Sequence, residues 1–233
     1  MILEGKSCIV TGAGRGIGQA IARRLCLGGA DVLAAARTAR ELEETVAICA
    51  SAPGRCTAAV TNMTRAEDVQ AMVQTCLDTY GQVDVLVNNA GVAPLTPFDE
   101  MTDTIFTDLL AVNVHSVFLA CKAIWPTMKT SGGTIVNISS MAAMDPFLGF
   151  AAYGATKAWV NTFTKAIAEE GRPFGIRAFA LGPGAVETQL LRTAMVDFPA
   201  EQALSPDHVA EAVEWLLDDR CRHASGQTIY VRK

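Results

Sequence analysis

Residues 7–18 read Ser7-Cys8-Ile9-Val10-Thr11-Gly12-Ala13-Gly14-Arg15-Gly16-Ile17-Gly18, and the chain runs on as Gln19-Ala20-Ile21-Ala22-Arg23-Arg24-Leu25. A short apolar run gives way to glycine at every second position and then to an amphipathic stretch, which predicts a strand, a tight reversal and a helix. Glycine lets a backbone approach a ligand closely, and the free amides and positive dipole end of the following helix attract negative charge. Gly12, Gly14, Arg15, Gly16, Ile17 and Gly18 therefore form a candidate cradle for a pyrophosphate. Their spacing departs from strict G-x-G-x-x-G, and a tight strand-to-helix turn benefits from glycine without any ligand.

The same alternation continues outward from this turn. Strand candidates fall at 7–10, 31–36, 57–60, 83–88, 134–139, 177–181 and 228–231, and helical candidates at 17–28, 38–50, 65–80, 102–128, 152–170 and 206–218. Each helical stretch is long enough for the crossover that joins parallel strands. The strands are near-continuous apolar runs, such as Val83-Asp84-Val85-Leu86-Val87 and Thr134-Ile135-Val136-Asn137-Ile138, as expected when helices cover both sheet faces. A single α/β domain over 1–233 follows, with a doubly wound, seven-stranded parallel sheet. No repeat or Pro/Gly/Ser linker divides it, and 189–205 is the one long irregular stretch.

Composition narrows the function. Half of the 233 residues are apolar and 18% are charged, below the roughly 25% of an average soluble domain, so disorder is excluded. A net charge of -5 without any basic block argues against nucleic acid. Glu4 and Lys6 interrupt the start before any apolar leader, and no run reaches the roughly 18 uncharged apolar residues of a membrane span, so a cytoplasmic protein with no membrane partner is expected. Cysteines at 8, 26, 49, 56, 76, 121 and 221 never form C-x-x-C, and the three histidines make no i, i+4 pair. A reducing compartment and no metal site are expected. G-x-S-x-G is absent.

Two further positions carry chemistry. An acidic side chain at the end of the second strand would bind an adenosine ribose and repel a 2′-phosphate, but this chain has Ala36 and then Arg37. Arg37, with Arg15 as a second planar fork, favours NADP(H) over NAD(H). Tyr153 and Lys157 stand four residues apart on a predicted helix, hence on one face, where the ammonium would favour phenolate. Ser140 closes the strand-like Ile135-Val136-Asn137-Ile138-Ser139-Ser140 just upstream. Taken singly, Ser140 could cap the next segment and Asn113 could satisfy a helix bend.

The glycine turn, Asn88-Asn89-Ala90-Gly91, Asn113, Ser140, Tyr153, Lys157 and Pro183-Gly184, in this order, resemble the short-chain dehydrogenase/reductase family over nearly the whole chain. The resemblance implies a Rossmann fold and hydride transfer between NADP(H) and a carbonyl or secondary alcohol. It makes Tyr153 the general acid in reduction, Ser140 a hydrogen-bond donor to the carbonyl oxygen, Lys157 the holder of the nicotinamide ribose, and Asn113 the organiser of a proton relay. It places Asn62 and Met63 against the adenine, Asn89, Ala90 and Gly91 against the adenosine ribose, and Pro183, Gly184, Val186 and Thr188 along the nicotinamide. Residues 188–205 would be a short substrate lid.

Departures from the family pattern are Asn62-Met63 in place of an aspartate and apolar residue, Ala178-Phe179 in place of Val-Asn, and a C-terminal run without paired glycines. The last favours a homodimer built from the 102–128 and 152–170 helices over a homotetramer. Met141, Met144, Phe147, Leu148, Pro94 and Leu95 point to an apolar substrate. A 3-oxoacyl thioester fits the resemblance, with Lys129 and Arg172 as candidates to meet an acidic carrier; a steroid, polyol or other secondary alcohol is the alternative. A non-catalytic NADP-binding regulatory protein is the rival from another class, disfavoured by the intact Asn113, Ser140, Tyr153 and Lys157.

Overall fold

The computed structural model describes residues 3–233. Met1 and Ile2, part of the expected 1–233 domain, lie outside the described residues. Seven strands, β1 (Ser7–Thr11), β2 (Asp31–Ala36), β3 (Cys56–Val60), β4 (Val85–Asn88), β5 (Gly133–Ile138), β6 (Ile176–Pro183) and β7 (Thr228–Val231), form one sheet in the order β3-β2-β1-β4-β5-β6-β7. Every pairing is parallel. The strand order reverses between β1 and β4, so the connections leaving their carboxyl ends diverge and open a crevice there.

Period-two burial builds two apolar layers. Val10, Val32, Ala34, Val87 and Phe179 face α1 (Gly16–Leu27) and α2 (Ala39–Cys49), together with α8, which runs Pro206–Leu217. Their neighbours Ile9, Leu33, Leu86, Ile135 and Ala178 face α3 (Ala66–Tyr80), α5 (Ser116–Ser131) and α6 (Ala151–Gly171). Burial on both faces is why these strands read as unbroken apolar runs.

The expected 102–128 helix is three pieces: α4 (Asp103–Leu110), a π turn at Ala111–His115, and α5. One extra residue in that turn shifts the helical ladder where Asn113 sits, a local distortion that leaves no mark on apolar spacing. The span Asp103–Ser131 is long and apolar enough to cross a membrane by length and composition. Here Leu109, Val117, Ile124 and Met128 are buried, and the last three belong to the layer beneath the sheet. The 189–205 stretch, expected to be irregular, contains α7 (Gln189–Ala194).

A buried polar chain fixes α6 against the sheet. Asn88 Nδ2 on β4 donates to Asn137 Oδ1 on β5 at 2.8 Å. Asn137 Nδ2 donates to Thr164 Oγ1 on α6 at 2.8 Å, and Thr164 Oγ1 donates to the Val160 carbonyl at 2.7 Å. Leaving one buried member unpaired costs about 1–3 kcal/mol, so register between β4, β5 and α6 is set by polar matching as well as by packing.

Candidate active site

The glycine turn lies at the carboxyl end of β1. Gly12 and Gly16 have φ of +64° and +57°, the left-handed region that side chains disfavour. A Cβ on Gly18 would meet the Gly12 carbonyl oxygen at 2.2 Å, so the turn packs backbone on backbone. Thr45 Oγ1 donates to the Ala13 carbonyl at 2.8 Å and Gln19 Nε2 to the Gly14 carbonyl at 3.3 Å. Those bonds tie the turn's carbonyls to α2 and α1, while Arg15, at the cap position just before α1, makes no side-chain capping bond to the helix amides. The cradle suits a pyrophosphate.

Asn89 and Ala90 close the other side of the turn. Asn89 Nδ2 donates to the Thr11 and Gly12 carbonyls at 2.9 and 3.1 Å, and the Asn89 and Ala90 amides both donate to Thr11 Oγ1. Thr11 thus couples the ends of β1 and β4, a role absent from the sequence reading. Arg37, after β2, is exposed and makes no side-chain hydrogen bond or ion pair among the described residues. Arg15, expected as a second fork, is paired with Glu41 at 3.0 Å. An exposed pair of this kind contributes about 0–1 kcal/mol, so a phosphate dianion can compete for it. Met63 is buried in the core, and Asn62 Oδ1 accepts from the Thr64 amide and hydroxyl. Asn62 is therefore engaged within its own turn, and Met63 in the core layer.

The catalytic candidates converge at the ends of β4 and β5. Lys157, 5% exposed, donates from Nζ to the Ile138 carbonyl at 2.8 Å. Ser139 Oγ donates to the Lys157 carbonyl at 3.2 Å and anchors that turn of α6. Burial lowers the Lys157 ammonium from 10.5 to about 8. Tyr153 lies one turn earlier, with Lys157 Nζ 5.8 Å from its ring centroid. The expected lowering of the phenol by Lys157 is not what the structure shows: burial pushes it upward, and the Ser140 hydroxyl is the group that opposes this. Ser140 Oγ also accepts from the Ala142 amide at 3.1 Å, so it caps a short turn and keeps its own proton to donate.

Asn113 is fully buried in the π turn. Its Oδ1 accepts from the Val92 amide at 2.9 Å, and its Nδ2 donates to the Val92 carbonyl at 2.8 Å and Thr156 Oγ1 at 3.2 Å. A Cβ on Gly91 would lie 3.3 Å from Asn113 Oδ1 and 3.6 Å from Lys157 Nζ, so Gly91 keeps this corner open. Pro183 ends β6, and the Gly184 amide donates to the Val231 carbonyl at 2.8 Å. Val186 pairs with Leu204 across the base of 188–205, and Thr188 caps α7. Thr188 Cγ2 would be 3.3 Å from a Cβ on Gly16, which joins the expected nicotinamide end to the glycine turn.

Apolar loops border the same edge. Met144, Phe147, Leu148 and Leu95 are exposed, and the Thr96 amide donates to the Gly149 carbonyl at 3.1 Å, stitching the two loops together. Lys129 and Arg172, expected near the reacting carbonyl, lie at the opposite edge. Lys129 stacks on Phe174 just before β6 begins, and Arg172 pairs with Glu169. The reason is geometric: α5 and α6 run back along the sheet and deliver their last turns to the amino ends of the strands. Arg232 and Lys233 share a groove of about 290 Å³ beside these loops with Phe147, Ala185, Phe198, Gln202 and one acidic residue, Glu201.

Comparison with known proteins agrees with this geometry. The model of the short chain dehydrogenase family matches residues 6–197. The 3beta-hydroxysteroid dehydrogenase 1 of Eggerthella lenta is 33% identical, over 98% of this chain and 93% of that protein. The 3-oxoacyl-(acyl-carrier-protein) reductase of Vibrio cholerae is 34% identical, over 99% and 97%. A 3-ketoacyl-(acyl-carrier-protein) reductase from Brucella melitensis complexed with NADH superposes with a TM-score of 0.91 at 33% identity, covering 98% of this chain and 97% of that one. A short chain dehydrogenase from Burkholderia cenocepacia in complex with NADP gives 0.92 at 30%, covering 100% and 98%. The chain belongs to the short-chain dehydrogenase/reductase family. It is an enzyme of that oxidoreductase family, whose members bind nicotinamide dinucleotides.

The Lys157 shift sets a pH dependence. Below about 8 the ammonium dominates; above it the neutral amine can neither hold charge near Tyr153 nor donate as strongly. The kcat/KM for the reduced dinucleotide, which reports the free enzyme, should be level up to about pH 8 and then fall by about tenfold per unit. A profile level through pH 10 would contradict this assignment.

Proposed function

We propose that the protein is an NADPH-dependent carbonyl reductase acting on an apolar ketone, with a 3-oxoacyl thioester as the best-fitting substrate. The observation that carries this reading is the alignment of Tyr153, Ser140 and Lys157 at the carboxyl ends of β4 and β5, beside the glycine cradle. Bound NADPH supplies the hydride. Gly12, Gly14, Gly16, Ile17 and Gly18 would hold its pyrophosphate, Asn89, Ala90 and Gly91 its adenosine ribose, and Pro183, Gly184, Val186 and Thr188 its nicotinamide end. Asn62 and Met63 would border the adenine.

Tyr153 donates the hydroxyl proton to the carbonyl oxygen as negative charge develops there, and Ser140 donates a second hydrogen bond to the same atom. Burial keeps the phenol protonated at neutral pH, which suits the reductive direction. Lys157 binds the ribose hydroxyls and presents its charge beside the ring. The side chain of Asn113 is spent on Val92 and Thr156, so its share in a proton relay falls to its main chain, where the π turn interrupts the ladder. Residues 188–205 act as the substrate lid.

The exposed loops around Phe147 favour an apolar body, and Arg232 with Lys233 supports an acidic tail. The same apolar loops fit a steroid alcohol, the second reading. Seven unpaired cysteines support a reducing, cytoplasmic setting. Exposed Phe106 and Phe118 on the α4–α5 span, together with the half-buried, stacked Trp159 and Phe163 of α6, support a homodimer through these helices. Sedimentation at micromolar concentration should return twice the chain mass; a monomer would remove that inference.

Reduction of a 3-oxoacyl coenzyme A thioester, followed as NADPH consumption, should drop by about 10²–10⁴-fold in Tyr153→Phe, with NADPH affinity held within about twofold. Undiminished turnover would reject Tyr153 as the acid, and a wild type faster on steroid ketones than on the thioester would favour the second reading. For the nucleotide, Arg37→Asp should invert the ratio of NADPH to NADH efficiency, through lost pairing and gained repulsion at the 2′-phosphate. An unchanged ratio would defeat the assignment of Arg37 to the 2′-phosphate.

A further inference from the structure

No two cysteines in the sequence form C-x-x-C, yet folding gathers three of them. Cys26 in the last turn of α1, Cys49 at the end of α2 and Cys56 at the start of β3 bring all three sulfurs within 4.8 Å of one another. Parallel architecture explains the convergence, because helix ends and strand starts meet at the amino edge of the sheet. Three thiols at one point exceed what core filling requires, since alanine or valine would pack there without weak polar atoms.

We propose that Cys26, Cys49 and Cys56 form a three-sulfur binding site for a soft, thiophilic d¹⁰ cation. Metal–sulfur bonds of about 2.3 Å around one ion place three sulfurs about 4 Å apart, so a contraction of under about 1 Å completes the site. Among the described residues no histidine or carboxylate joins the group. The donor set is all sulfur, which selects against Mg²⁺ and Ca²⁺ and in favour of Zn²⁺, Cd²⁺ or Cu⁺. Cys26 and Cys49 are buried and Cys56 is half-buried, so the ion would be shielded on one side and reached from the other. Cys56 lines a shallow groove of about 410 Å³ with Glu43, Val46, Ala47, Thr57 and Ala58, which provides the way in.

Binding replaces S–H bonds with metal–sulfur bonds and releases one proton to solvent for each thiol that becomes a thiolate ligand. No electrons are transferred. The site clamps α1, α2 and β3 to each other at the edge opposite Ser140 and Tyr153. Its effect is on the stability of the nucleotide-binding half rather than on the chemical step.

The full chain, reduced with a phosphine and stripped by a chelator, is titrated with Cd²⁺ while thiolate-to-metal charge transfer is followed in the ultraviolet. Saturation at one equivalent is expected, with a rise in melting temperature and unchanged basal turnover; Mg²⁺ should do neither. Zn²⁺ and Cu⁺ should each displace Cd²⁺, and the one effective at lower concentration is the better fit. Cys56→Ser, at the half-buried position, and Cys49→Ser should weaken Cd²⁺ by at least about 100-fold, more than loss of an outer-shell partner. Cys221→Ser, outside the group, should leave the titration unchanged. Circular dichroism confirms that each variant is folded; where Cys49→Ser is not, the wild-type titration and Cys56→Ser decide. No one-equivalent band in the wild type, or a band that survives Cys56→Ser, would overturn the proposal.

Discussion

The ammonium of Lys157, buried against the Ile138 carbonyl at the end of β5, is the constraint around which the site is arranged. It is the one charged side chain among the buried described residues. Burying a cation without a carboxylate is unfavourable, and the protein meets that strain by moving the ammonium toward neutrality, to about 8. An apolar residue would pack there with less penalty. A buried, titratable amine one helical turn from a half-buried phenol is what a site looks like when stability has been spent on chemistry. The rest of the scaffold holds α6 in place: Asn88, Asn137 and Thr164 lock it to the sheet, and Asn113 locks it to the loop after β4.

Sheet direction then separates two kinds of chemistry. Every strand points the same way, so the glycine turn, Asn89, Ser140 and Pro183 all emerge at one edge. The crossover helices return to the other edge, which collects Lys129, Arg172 and the Cys26, Cys49 and Cys56 sulfurs. Proximity in sequence to a catalytic helix therefore says little about proximity to its active end. Lys129 and Arg172 sit on or beside α5 and α6 and still lie a sheet's length from Tyr153.

Legibility in the sequence followed the physics of each feature. The five inner strands were readable because burial on both faces leaves unbroken apolar runs, and the partly exposed edge strands β3 and β7 because each is a short run rich in β-branched and small apolar residues. The glycine turn and the Tyr153–Lys157 pair were readable because their partners are close in sequence. The π turn was not, since one extra residue in a ladder leaves apolar spacing nearly unchanged. Long-range polar matches were also hidden: Thr11 with Asn89, Thr45 with Ala13, Asn137 with Asn88 and Thr164. A threonine or asparagine in a strand carries no mark of the distant group it will meet. The pairing of Arg15 with Glu41 was invisible for the same reason, and so was the upward shift of Tyr153, which depends on how deeply the ring is covered.

Hydride delivery to a carbonyl carbon beside Tyr153 is the central claim, and isotope tracing tests it most directly. NADPH carrying deuterium on both C4 positions is incubated with the protein and an apolar 3-oxo substrate, and the alcohol is analysed by mass spectrometry. One deuterium on the carbinol carbon per NADPH consumed is expected, with the hydroxyl hydrogen coming from solvent. A protein that binds NADPH yet yields no labelled alcohol from thioester, steroid or simple ketones would contradict it.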